Sequence, residues 1–181
     1  MKLPNTIVGR PIERVEDYRF VRGDGIFVDD LDMPNQLHAV MLRSSVAHGR
    51  LRQIDATEAL ALPGVHAVIT ARDIGDEIPV IPMRLQPLEE VKPYRQPVIA
   101  YDKVRYVGEP VAVVLAESAA IAEDALDLIR VEIEELPVVA DYIESARDRS
   151  ILFESMGTNL GKRFVGKKGD ADAAFTGAHY V

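Results

Sequence analysis

The stretch Tyr101–Leu136, YDKVRYVGEPVAVVLAESAAIAEDALDLIRVEIEEL, decides the fold. Lys103 to Tyr106 alternates like a short strand. Val111 to Ala116 is a near-continuous apolar run rich in β-branched residues, which suits a strand covered on both faces. Gly108-Glu109-Pro110 separates the two; Gly108 is free to take φ > 0, and Pro110 is tolerated at a strand's first residue. Ser118 to Ile129 then shows helical periodicity. Ile121, Ala122, Ala125, Leu126, Leu128 and Ile129 form one apolar stripe, Glu123, Asp124 and Asp127 face water, and Ser118 is the N-cap. Arg130 to Leu136 returns to alternation, and Pro137 ends it.

Outward from this core, several further elements are expected. Gln36 to Arg43 reads as a strand with Leu37, Ala39, Met41 and Arg43 on one face and His38, Val40 and Leu42 on the other; apolar residues on both sides predict a central strand. Arg50 to Asp55 alternates. Ala56 to Leu62 is a short helix with Asp55 or Thr57 near its N-cap, ended by Pro63-Gly64. Val65 to Thr70 is a strand and Ala71 to Ile74 a helical turn. Asp17 to Arg22 and Gly25 to Val28 read as short strands around the Gly23-Asp24-Gly25 turn. Asp141 to Ala146 is a short helix, Ala171 to Ala174 starts a helical turn, and His179-Tyr180-Val181 looks like the opening of a strand. The domain division is therefore an irregular arm over residues 1–15, a folded domain over 16–146, and a linker leading out over 147–181.

Residues 75–97 break this order. Prolines at 79, 82, 87, 93 and 97 prevent a sustained period, while Ile78, Val80, Ile81, Met83, Leu85 and Leu88 are too apolar for a solvated linker. A loop of this kind is expected to lie against something.

Composition narrows the function. The 181 residues carry a formal net charge of −8, which argues against nucleic acid as the main partner. No cysteine is present, so disulfides, thiolate metal sites, cysteine-ligated iron–sulfur clusters and a cysteine nucleophile are excluded from this stretch of chain. No run approaches the roughly 20 apolar residues of a membrane span, and the start is not a secretory signal; a cytoplasmic protein is expected.

No constellation of residues amounts to an active site. Asp29-Asp30-Leu31-Asp32 lacks the spacing and closing glutamate of a calcium loop and reads as a solvated turn. His38, His48, His66 and His179 show no metal-ligand spacing, and His48 reads as a turn residue. Ser44-Ser45 near His48 has no G-x-S-x-G elbow. Gly23 and Gly25 do not extend to a dinucleotide fingerprint. Glu109 enters a buried strand at a turn and would need burial and a partner to serve as a base; a carboxylate in an exposed hairpin turn is the commoner case. Lys162 to Lys168 is a short, glycine-spaced basic run, read as a solvated loop with a phosphate or acidic-partner contact as the alternative.

Taken together the residues resemble a known family. The matching text is GDGIFVDD (Gly23–Asp30), LHAVMLRSSVAHGRLR (Leu37–Arg52), Ile54-Asp55, LPGVHAVITARDI (Leu62–Ile74), KVRYVGEPVAVVLAES (Lys103–Ser118), AAIAEDALDLIRVEIEELPVV (Ala119–Val139) and GDADAAFTGAHYV (Gly169–Val181). It is similar to the N-terminal α/β-hammerhead domain of the molybdopterin-binding large subunit of molybdenum hydroxylases, the family of xanthine dehydrogenase, aldehyde oxidase and carbon monoxide dehydrogenase. Two small departures are Gly49, where that family often has alanine, and Ile133, where it often has tyrosine.

The resemblance implies an α+β fold, a mixed sheet with a few short helices and one longer helix at about 118–129. It implies a part of an oxidoreductase that hydroxylates aldehydes or nitrogen heterocycles at a molybdopterin cofactor. Iron–sulfur clusters and FAD would sit on partner subunits or domains, and the remainder of the large subunit would be a further partner. The family's glycine-rich cofactor loop and glutamate base lie downstream of this region. The resemblance therefore assigns no catalytic, cofactor-binding or metal residue to this chain, which alone is expected to be inactive and to bind no cofactor. The alternative is a free-standing hammerhead module for binding or assembly, with residues 75–97 facing a ligand.

Overall fold

A computed structural model describes residues 8–75, 77–83 and 88–180. Residues 1–7 of the expected arm, Leu85 and Pro87 of the proline-rich loop, and Val181 lie outside the described residues. The chain divides into two compact units, Met1–Gln36 and Leu37–Val181.

The first unit carries α1 (Asp17–Val21) and a 3-10 turn over Val28–Asp30. Two strands were expected here, and neither forms. Phe20 N donates to Glu16 O and Arg22 N to Tyr18 O, while Arg14 is paired with Asp17 in the first turn. These local bonds satisfy the backbone as a helix despite its aromatic and β-branched residues. Gly23, at φ +78°, makes the following turn, and Phe20 stacks on Phe27 at 5.7 Å.

The second unit holds two three-stranded sheets. Its elements are β1 (His38–Arg43), β2 (Gly49–Asp55), α2 (Thr57–Ala61), β3 (Val65–Ile69), α3 (Ala71–Ile74), β4 (Lys103–Val104), β5 (Pro110–Ala116), α4 (Ala119–Leu126), β6 (Arg130–Glu135), α5 (Tyr142–Ser145) and α6 (Ala171–Thr176). One sheet has the order β1-β5-β3 and the other β4-β2-β6. The α+β class holds, with all strand pairings antiparallel and divided between two sheets rather than gathered in one mixed sheet. The cause is α4: it returns the chain from the centre of the first sheet to the edge of the second.

β5 is the centre of the first sheet. Val113 lies opposite Met41 on one side and Ile69 on the other. Val111, Ala112, Val114 and Ala116 are all buried, so residues of both faces are covered, as the apolar run predicts. β1 is an edge strand, not a central one. Val40 and Leu42 pack on the core, whereas Leu37 and Met41 stay exposed. Strand order is set by tertiary pairing and leaves no local mark on such a sequence.

α4 packs its apolar stripe on β1 and β5 through Ala122 and Ala125, both without exposed surface. Ser118 caps it by accepting from Ile121 N, and after Leu126 the helix tightens, with Leu128 N on Ala125 O and Ile129 N on Leu126 O. Leu42, Ile54 and Val131 belong to this core and also to a second cluster around Ala100, Val104 and Val111, which joins the two sheets.

The C-terminal part holds α5, capped by Asp141, and α6, capped by Asp170. His179 and Tyr180 form no strand. Between the helices, residues 148–160 form a strap organised by side chains. Asp148 accepts from Thr158 Oγ1 and Asn159 N, each at 2.7 Å. Asn159 Oδ1 accepts from Leu152 N, and Asn159 Nδ2 donates to the carbonyls of Ser145 and Ser150.

Candidate functional site

Of the four buried polar side chains among the described residues, Lys103 lies in β4 and Glu109 just before β5, while Ser44 and His48 lie on the β1–β2 connection. Glu109 is 0% exposed, and it is the largest fully buried side chain among the described residues. The expectation of an exposed turn carboxylate is corrected here. The Gly108-Glu109 turn is clasped against the β1–β2 connection: Gly108 N donates to Ser44 O at 2.8 Å, Ser44 N to Glu109 O at 2.9 Å, and Arg43 Nη1 to Gly108 O at 2.9 Å. Gly108 takes φ +91°, the conformation this approach requires.

The Glu109 carboxylate turns inward. Oε2 accepts from Arg105 N, and Oε1 has no hydrogen-bond partner. Burial pushes the carboxyl above its ordinary range, opposed by the bond from Arg105 N and the Arg105 charge, while Asp102 adds to the rise. Tyr106 is also pushed up, first by its own burial and then by Glu109.

Lys103, 3% exposed, pairs with the carboxylate of Glu154. That bond holds Glu154 below its ordinary range. Arg105 Nε donates to Leu152 O at 3.1 Å, and its guanidinium lies 4.7 Å from the centre of the Phe153 ring. Tyr94 meets Phe153 edge-on, and its hydroxyl donates to Thr158 O at 3.2 Å. The strap is thus fastened to β4 and to the proline-rich loop. Sequence reading missed it, because its signal is spread over Lys103, Arg105, Glu154 and Asn159 rather than in a period.

The other candidates remain apart. Asp30 caps Phe27 N at 2.8 Å, and among the described residues no three His, Cys, Asp or Glu side chains are grouped to hold a metal ion. Ser44 Oγ donates to Val46 O and accepts from Val46 N, a turn role that leaves no nucleophile. His48 is buried, with Nδ1 donating to Pro137 O at 2.8 Å and Nε2 without a partner. His66 is exposed beside Glu117, and His179 packs against Tyr180. Lys162 pairs with Glu90, whereas Arg163, Lys167 and Lys168 are exposed.

The loop over residues 75–97 partly folds on itself. Val80 bridges to Pro97, Ile81 N donates to Gln96 O, Val98 N donates to Pro79 O, and Glu89–Tyr94 is a 3-10 helix. Ile81, Met83, Val91 and Tyr94 line an open, largely apolar concavity of about 320 Å³.

Two antiparallel sheets that share apolar core residues are the frame on which these side chains sit. The family described as aldehyde oxidase and xanthine dehydrogenase, a/b hammerhead domain, matches residues 22–137, and the chain belongs to it. The large subunit of nicotine 6-hydroxylase from Paenarthrobacter nicotinovorans is 38% identical over 179 residues, 99% of this chain and 22% of that one. Among solved structures, quinoline 2-oxidoreductase from Pseudomonas putida 86 is similar with a TM-score of 0.69 and 38% identity over 80% of this chain and 18% of that one. The Cu,Mo-containing CO dehydrogenase is similar with a TM-score of 0.67 and 36% identity, covering 80% and 17%. The chain spans about a fifth of the length of these relatives.

The described residues do not fit a molybdenum cofactor. The two buried polar atoms without partners, His48 Nε2 and Glu109 Oε1, are single atoms on separate residues, not a convergent set of donors. The buried cation, Lys103, is taken by Glu154.

Proposed function

We propose that this chain is the hammerhead part of the large subunit of a molybdenum hydroxylase acting on an aldehyde or a nitrogen heterocycle in the cytoplasm. Its role is structural. Residues 16–146 form the hammerhead, and residues 147–181 lead towards a molybdopterin-binding domain. The exposed apolar residues of β1 and of the proline-rich loop contribute to the surface that meets the rest of the subunit and its iron–sulfur and FAD partners. The observation that carries this reading is the match to large subunits over nearly the whole chain but only 22% of the relative's length.

Elemental analysis of the purified 181-residue chain by inductively coupled plasma mass spectrometry tests it. Molybdenum well below stoichiometric is expected. A stoichiometric content would overturn the structural role and place cofactor binding within these residues.

A further inference from the structure

Glu109 is a carboxylate buried without a cation of its own. The cationic and titratable groups on the neighbouring elements are accounted for one by one. From β1, Arg43 donates to Gly108 O. From the turn after β1, His48 donates to Pro137 O. From β4, Lys103 is paired with Glu154. Asp102 and Tyr106 bring no positive charge. That leaves Arg105, whose backbone N–H bonds Glu109 while its guanidinium points to the strap, on Leu152 O, Lys103 O and the Phe153 ring.

Arg105 therefore stands between two claimants, a buried carboxyl group on one side and the 148–160 strap on the other. We propose that Glu109 is the proton-operated half of a switch that sets whether Arg105 holds the strap. With the proton on, Glu109 is neutral and Arg105 stays on Leu152 O and Phe153. With the proton off, the buried anion draws the guanidinium of Arg105, the residue whose backbone N–H it already holds, away from Leu152. The cost of a buried, unpaired carboxylate is set against two carbonyl bonds, one of them long at 3.4 Å, and the Phe153 ring in a half-exposed strap.

The direction with pH follows from proton linkage. Burial raises the Glu109 carboxyl above its ordinary range in both states, and the guanidinium beside it in the open state favours its charged form, so the closed strap binds more proton than the open one. Above the ordinary carboxylate range, where Glu154 stays ionised on Lys103, closure weakens as pH rises towards the raised value. The switch is independent of which enzyme the chain belongs to.

Amide hydrogen exchange on the full chain tests it, read at Leu152 N and Asn159 N, the strap amides bonded to Asn159 Oδ1 and Asp148 Oδ1. After correction for intrinsic rates, their protection in the wild type falls by about tenfold per pH unit within the window above the ordinary carboxylate range. The β5 amides hold constant over the same window. Glu109→Gln keeps the strap protected with no pH slope. Arg105→Met leaves the strap open at every pH, again with no slope, and gives a second test should Glu109→Gln fold poorly. A slope retained in either variant, a flat wild type, or loss of β5 and strap protection together would overturn the switch.

Discussion

Gly49 and Ile133 sit diagonally across the β2–β6 pairing, and a Cβ on Gly49 would run into Ile133 Cγ2 and lie 2.9 Å from Glu134 O. The two positions are therefore neighbours. The branched side chain at 133 occupies the space that an alanine at 49 would need. Gly49→Ala alone should destabilise the fold by about 1–3 kcal/mol, because the nearest obstacles include backbone. Tyrosine has no branch at Cβ, so Ile133→Tyr in the same chain should recover part of that loss, with a coupling of about 0.5 kcal/mol or more. Urea unfolding of the two single variants and the double variant measures it; additive effects would remove the pairing.

Lys103 and Glu154 form an unequal pair, with side chains 4% and 57% exposed. Removing the carboxylate strands a buried ammonium, and Glu154→Gln should cost about 1–2 kcal/mol, between the values for exposed and fully buried pairs. Replacing both residues, as in Lys103→Met with Glu154→Gln, should be better tolerated than Glu154→Gln alone. Glu154 is held below its ordinary range, first by the Lys103 bond. Its contribution is therefore present above the unfolded carboxylate pKa and is lost as pH falls through the lower folded value. The gap between wild type and Glu154→Gln in urea midpoint should be full at pH 7 and shrink on acidification. A gap that ignores pH would count against the pair.

How far the sequence reveals this molecule depends on whether the determining forces are local. β5 and α4 are legible because their signals are a covered apolar run and a helical stripe with a serine cap. The edge position of β1 is not legible, since Leu37, Met41, Val40 and Leu42 look the same whether a neighbour lies on one side or two. α1 is misread because five residues with tyrosine, phenylalanine and valine resemble a strand, and only Arg14–Asp17 and the turn-spaced backbone bonds decide otherwise. The burial of Glu109 depends on Ser44, sixty-five positions upstream. A charged residue in a glycine-proline turn gives no hint of that. The strap is invisible for the same reason: Lys103 and Arg105 are half a hundred residues from the groups they hold.

Ser118 caps the start of α4, its Oγ accepting from Ile121 N at 3.2 Å. α4 packs on the central strand of the first sheet, so its loss is felt by the whole core. Ser118→Ala should lower stability by about 1 kcal/mol, and Ser118→Asp should retain most of it. Thermal unfolding followed by circular dichroism distinguishes the two; equal melting temperatures for Ser118→Ala and wild type would show that the cap is dispensable.

Asn159 ties two points of the strap to the end of α5, and both ends of its amide are used. Oδ1 accepts from Leu152 N at 2.9 Å, while Nδ2 donates to Ser150 O at 2.7 Å and Ser145 O at 3.3 Å. Alanine removes all three bonds and exposes the groups to water in a half-buried site, at about 1–3 kcal/mol. Aspartate keeps the acceptor for Leu152 N but sets a second carboxylate oxygen against two carbonyl oxygens, a repulsion that alanine does not create. Asn159→Asp should therefore be at least as damaging as Asn159→Ala at neutral pH. It should improve relative to alanine on acidification, as a protonated carboxyl regains a donor for one of the two carbonyls. Limited proteolysis within residues 148–160, followed against pH for both variants, reads this directly. An aspartate variant that cleaves like wild type at neutral pH would mean that the strap does not depend on the two donated bonds.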